Sequence, residues 1–168
     1  MQINDEFREM MEQESASIDE IWKITDEYEF VSAMYMYIAE KCGYGSNPEA
    51  LSEPEQVFYI TQTLEMEINN GGFWQFFFNA DEAVFRGVIP AFSEIGAEKT
   101  AGICESAITA FPRELPDDRE GRMAVLMKFG MEDGYEILSS FDDAFCAYEE
   151  DLNALNYAYI QNHKDQFS

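Results

Sequence analysis

Histidine is almost missing from this sequence: His163 stands alone, five residues before the last position. It has no second histidine, no HExxH or ExxH pattern accompanies it, and a serine-hydrolase triad would have to recruit this one residue as its base. It reads as a solvated tail histidine. Cysteine is scarce too. Cys42, Cys104 and Cys146 are widely spaced, odd in number and form no CxxC pair, which excludes a zinc or disulfide framework and suits buried thiols in a reducing cytoplasm. No run approaches the ~18 apolar residues of a membrane span. The opening MQINDEFREMMEQE is acidic and lacks the basic start and apolar stretch of a secretory signal. No P-loop, G-x-S-x-G or D-x-D-x-D-G calcium loop is present. The expectation is a cytoplasmic protein that is not an enzyme, with no cofactor, no metal and no membrane partner.

Basic residues are the most telling shortage. Ten Lys and Arg stand against 34 Asp and Glu, a net charge of −24. Repulsion of that size opposes compaction, and it excludes direct contact with nucleic acid or an anionic membrane. It points instead to a basic partner, of which DNA-binding proteins are the most abundant class; adaptation to high salt is the alternative source of such acidity. The chain still has the means to fold. Hydrophobic residues make up 46%, including 14 Phe, 9 Tyr and 2 Trp, and a chain of this length buries roughly 70% of its unfolded surface. Residues 1–168 read as a single acidic helical domain.

Apolar residues recur three and four apart almost throughout: Val31, Met34, Tyr35, Ile38; Val57, Ile60, Leu64, Ile68; Val84, Val88, Phe92, Ile95; and Phe141, Phe145, Tyr148, Leu152, Leu155, Tyr159. No stretch alternates as a strand does. Connectors fall at residues 42–55, 112–118 and 130–134. Ser52 with Glu55 forms a capping box, and Asp117 or Asp118 opens the following helix. The fold class is all-α, a single compact domain of about seven to nine helices.

Charge is patterned as well as abundant. With residues 5–29 taken as helical, Asp5, Glu9, Glu12, Asp19, Glu20, Asp26 and Glu27 fall within about 120° of one another. Phe7, Met10, Met11, Ile18, Ile21 and Tyr28 take the opposite side. Ser17 and Glu20 form a second possible capping box, so the segment is either one helix or two that must stay collinear to share a face. Ten carboxylates in these 25 residues give one charge per roughly 3.7 Å of helix, against ~3.4 Å along a DNA strand. Such a face can substitute for a phosphate backbone. Solvated acidic helix faces are also common without that role.

Uncharged and aromatic, residues 69–79 (NNGGFWQFFFN) stand out at the centre. Asn-Asn-Gly-Gly suits a left-handed helix end and sharp turn, and FWQFFFN suits buried helical turns. Asn70, Gln75 and Asn79 are then expected to bond backbone groups left unpaired by the turn. A pocket for a small aromatic or sugar ligand is the alternative, with no nucleophile or base beside it. The segment LEMEINNGGFWQFFFN, through Glu67, Asn69, Asn70, Gly71, Gly72, Phe73, Gln75, Phe76 and Asn79, resembles the signature of a bacterial family of small helical proteins. The best-known member of that family is a dimeric DNA mimic. The resemblance implies an all-helical homodimer whose carboxylates occupy the DNA-binding site of a helix-turn-helix transcription regulator and keep it from its operator. An immunity or anti-toxin protein that inhibits a basic nuclease is the competing reading, since it uses the same charge.

Overall fold

Ser52 opens the helix around which the other elements pack. Its hydroxyl accepts the Glu55 N–H at 3.3 Å, and the Glu55 carboxylate accepts the Ser52 N–H at 2.8 Å, the reciprocal pair that the sequence predicts. The computed structural model describes residues 16–80, 82–111, 116 and 118–168. Within them α1 (Ile18–Ile21) is a single turn. Seven longer helices follow: α2 (Glu27–Lys41), α3 (Glu53–Asn79), α4 (Glu82–Glu94), α5 (Glu98–Ala110), α6 (Arg119–Phe129), α7 (Tyr135–Cys146) and α8 (Leu152–Asn162). No strand occurs among the described residues, so the fold is the expected compact all-α domain. No helix among them is long and apolar enough to cross a membrane.

Helix α3 touches α2, α4, α6, α7 and α8. Its first half carries Phe58 into a core with Ile21, Phe30, Met34, Ile38, Ile160 and Phe167. Its second half carries Phe73, Phe76 and Phe77 into another, with Val88, Phe92, Phe111, Leu126 and Phe145. Each of these large side chains contributes about 1.5–3 kcal/mol by leaving water. The predicted stripe Val84, Val88, Phe92, Ile95 is buried along its whole length.

The helix does not end at Asn70. It kinks at Gly71 (φ −162°, ψ 19°) and Gly72 (φ 70°, ψ −172°) and resumes to Asn79. Positive φ belongs to Gly72, and the predicted left-handed end is in fact a hinge between two helical halves. What lets the second half restart is Asp142 of α7, whose carboxylate accepts the Phe73 N–H at 2.7 Å. A carboxylate suits this position, because the start of a helical segment is electropositive and its N–H groups lack partners. The predicted side chains do other things. Asn70 is exposed, Gln75 folds against Gly71, and the Asn79 amide donates to Glu67 at 3.0 Å. Phe73, Phe76 and Phe77 are fully buried, so the motif is core and not a pocket wall.

Two other expectations are corrected. The helical spacing from Phe141 to Tyr159 is interrupted: α7 stops at Cys146, Tyr148 takes φ 45°, and Asp151 starts α8 by accepting the Ala154 N–H at 3.0 Å. Periodicity survives the break because Phe145 and Leu152 enter the same core. The C-terminal segment is docked rather than solvated. His163 Nδ1 lies 2.9 Å from the Tyr159 carbonyl, and Phe167 is buried. Cys42 and Cys104 are buried thiols as expected, whereas Cys146 is exposed.

Candidate functional site

The acidic face predicted near the N-terminus is only partly within reach of the structure. Asp5, Glu9 and Glu12 lie outside the described residues. Asp19, Glu20, Asp26 and Glu27 are all exposed. They do not share one straight helix. Ser17 caps α1, and the Glu20 carboxylate closes the predicted box by accepting the Ser17 N–H at 3.0 Å and its hydroxyl at 2.6 Å. Those two bonds hold Glu20 below the ordinary glutamate range, the hydroxyl contributing more. After Ile21 the chain turns, with Lys23 and Ile24 donating back to Glu20 and Ile21. Asp26 then starts α2 by accepting the Glu29 N–H at 2.9 Å.

The break has a packing reason. In one continuous helix Trp22 and Phe30 would stand about 12 Å apart along the axis, whereas the turn brings their ring centroids to 5.3 Å. Lys164 Nζ also lies over the indole, 4.5 Å from its centroid. Wheel geometry therefore fails beyond Ile21. Ile21 is buried as predicted, but Tyr28, assigned to the apolar side, is 71% exposed. One unbroken helix through residues 18–29 is excluded by this turn, and the four described carboxylates remain on the surface.

Negative charge extends well beyond this segment. Exposed carboxylates occur on every helix from α2 to α7, among them Glu29, Glu53, Glu94, Glu105, Glu120, Glu136 and Asp143. Several cations are occupied by the fold itself. Lys41 pairs at 2.8 Å with fully buried Glu55, and Lys99 pairs with Glu149 at 3.0 Å. Arg122 donates to the carbonyls of Pro116 and Ala80, and Lys164 rests on Trp22. Lys41 is drawn to a buried carboxylate, whereas the Lys99–Glu149 pair is exposed on both sides. What is left is a field that attracts cationic partners and weakens with salt.

The kink joins the core to this surface. Tyr148 donates to Glu65 at 3.1 Å and accepts from the Asn69 amide at 2.7 Å. Burial pushes Glu65 above its ordinary range, against the pull of Tyr148 and Gln62. It also pushes Tyr148 up to about 12. Asp142 is raised by burial too, with the Phe73 N–H opposing. Asp142 and Tyr148 are the residues that sequence reasoning missed. Each acts on a partner at least 69 positions away, and no local pattern signals such a pairing. No group of three or more His, Cys, Asp or Glu able to hold a metal exists among the described residues.

Comparison with known proteins gives one result. Residues 49–163 match the family described as DMP19-like protein, a span that runs from the start of α3 through the kink to the end of α8. No curated protein and no solved structure matches the chain. With more than half of its length matched, the chain belongs to the DMP19-like protein family.

Proposed function

We propose that this protein is a DNA mimic: its carboxylates take the place of phosphates in the DNA-binding site of a basic protein, specifically a helix-turn-helix transcription regulator, and block operator binding. The observation that carries the reading is a net charge of −24 displayed on exposed carboxylates from α2 to α7, in a chain of the DMP19-like family. Arg and Lys side chains that normally meet phosphates would meet Asp19, Glu20, Asp26 and Glu27, together with Asp5, Glu9 and Glu12. The turn at residues 22–25 divides the described carboxylates between α1 and the start of α2.

The protein acts in the cytoplasm as a homodimer. Met123 and Met127 lie one turn apart on α6, and with Met131 and Tyr135 beyond its end they are 40–79% exposed, large apolar side chains of the kind that supply an interaction surface. A gel-shift titration tests the main reading. Increasing protein should release a cognate regulator from its operator at low salt, without shifting naked DNA. A shift of naked DNA, or no release at any concentration, refutes it. Release of a basic nuclease but of no regulator would establish the inhibitor reading instead.

A further inference from the structure

A groove between α3, α4 and the end of α8 takes in none of the carboxylates that the partner-binding reading assigns to the regulator's Arg and Lys. Its volume is about 490 Å³, within the range of small-molecule sites. Val57, Ile60 and Ala91 supply an apolar wall. The two helices come close here because Gly87 lacks a side chain; a Cβ there would lie 2.6 Å from the tip of Ile60.

Tyr159 also lines the groove and is only 7% exposed, yet its hydroxyl has no hydrogen-bond partner among the described residues. Every fully enclosed polar side-chain atom among them does have a partner, so this hydroxyl opens onto the groove. Burial, and then Glu94 and Glu53, push the phenol up to about 12. It therefore stays neutral at physiological pH, with an oxygen able to accept a hydrogen bond. Both carboxylates are groove residues themselves.

Electrostatics at the site are unbalanced. Glu94 is the last residue of α4, where the helix dipole is already negative, and neither α4 nor α8 has a basic residue in its last turn. No Lys or Arg lines the groove. Lys164, next in sequence to the lining residue His163, is over Trp22, and Arg86 lines the adjoining cavity. Two carboxylates, a phenol without a partner and an apolar wall define the complement of an alkyl chain with a positive charge at each end.

We propose that this groove binds an aliphatic di- or triammonium compound. One ammonium donates to Glu94 and the Tyr159 oxygen, another donates to Glu53, and the methylenes lie along Val57, Ile60 and Ala91. A hard divalent metal is a poorer match, because it wants six or more converging oxygens.

Calorimetric titration of the full chain with spermidine at about 150 mM salt, where the Debye length is ~8 Å, tests the site. One saturable site per chain is expected. Substituting E53Q and E94Q together should lower affinity at least tenfold, and Y159F should lower it less. The pair E105Q and E136Q, also exposed, should leave it unchanged. Equal losses from both pairs, or displacement of spermidine by magnesium at equal charge, would reduce the binding to diffuse counterion attraction and overturn the proposal. Equal affinity for the uncharged 1,8-octanediol would overturn it as well. Methyl chemical shifts of the unsubstituted protein provide a readout independent of any variant. Spermidine should move Val57 and Ile60, and shifts scattered over the acidic surface would contradict the site. Failure of the spermidine titration leaves the gel-shift test of DNA displacement untouched, since that test uses the unsubstituted protein.

Discussion

Gly72→Ala puts the most weight on the kink. At φ 70° and ψ −172° the backbone occupies a region that is essentially reserved for glycine, so alanine brings about 1–3 kcal/mol of strain. The new Cβ would also lie 2.6 Å from Asp142 Cγ, which forces the carboxylate away from the Phe73 N–H that it accepts at 2.7 Å. Losing a helix-start acceptor costs about 0.5–2 kcal/mol. Together the loss is roughly 1.5–5 kcal/mol, and at about 2–4 °C per kcal/mol for a chain of this size the melting midpoint should fall by about 3–20 °C. Asp142→Ala alone should cost only the acceptor. In that background Gly72→Ala should cost only the strain, so the two substitutions should be less than additive, with a coupling near 1 kcal/mol. Thermal melts of the two single variants and the double variant decide. A drop of under 2 °C for Gly72→Ala, or strict additivity, would refute the account of the kink.

Other perturbations separate core, charge and assembly. Phe73→Ala removes a ring that meets Phe76, Phe77, Phe141 and Phe145, so denaturant melts should show a loss of about 3–5 kcal/mol. Glu65→Gln tests burial of charge. The folded pKa of Glu65 is raised, so the wild-type fold binds its proton more tightly than the unfolded chain does, and stability is lost as pH rises through the folded value. The variant should therefore melt higher than wild type at pH 7, with the gap closing below the unfolded glutamate pKa of about 4.3; a gap independent of pH would contradict this. Met127→Asp with Met131→Asp should convert a dimer to monomer in sedimentation velocity, and an unchanged species would remove the patch from the interface. Changing Asp19, Glu20, Asp26 and Glu27 to Asn or Gln should slow partner association at low salt with little change in melting, since Asn caps α2 about as well as Asp. Equal slowing by neutralising Glu105, Glu120, Glu132 and Glu136 would mean that only total charge matters.

Local chemistry made much of the fold legible in the sequence. Ser17 with Glu20, Ser52 with Glu55, and Asp118 accepting the Gly121 N–H are caps within three residues of their partners, and each forms as read. The stripe on α4 is buried for the same reason, because one helix turn fixes it. What failed was continuity between turns. Nothing between Ile21 and Asp26 announces that Trp22 must leave the helix to reach Phe30, and nothing near Cys146 announces that Tyr148 will turn left-handed to reach Glu65 and Asn69. Both breaks are set by contacts between elements. The Asn-Asn-Gly-Gly stretch lies between these cases: its glycines announce a distortion, but only Asp142, contributed by α7, makes it a kink instead of an end. The Tyr159 groove had no sequence signal, since its walls come from three helices.

Mutual exclusion is the most direct test of mimicry. Sedimentation of a mixture of the captured DNA-binding partner, a labelled operator duplex and this protein distinguishes competition from mere attraction. If carboxylates occupy the phosphate-binding surface, the partner sediments with the duplex or with this protein, never with both, and free duplex rises in step with the protein–partner complex. A stable ternary species containing labelled DNA, partner and this protein would contradict the account.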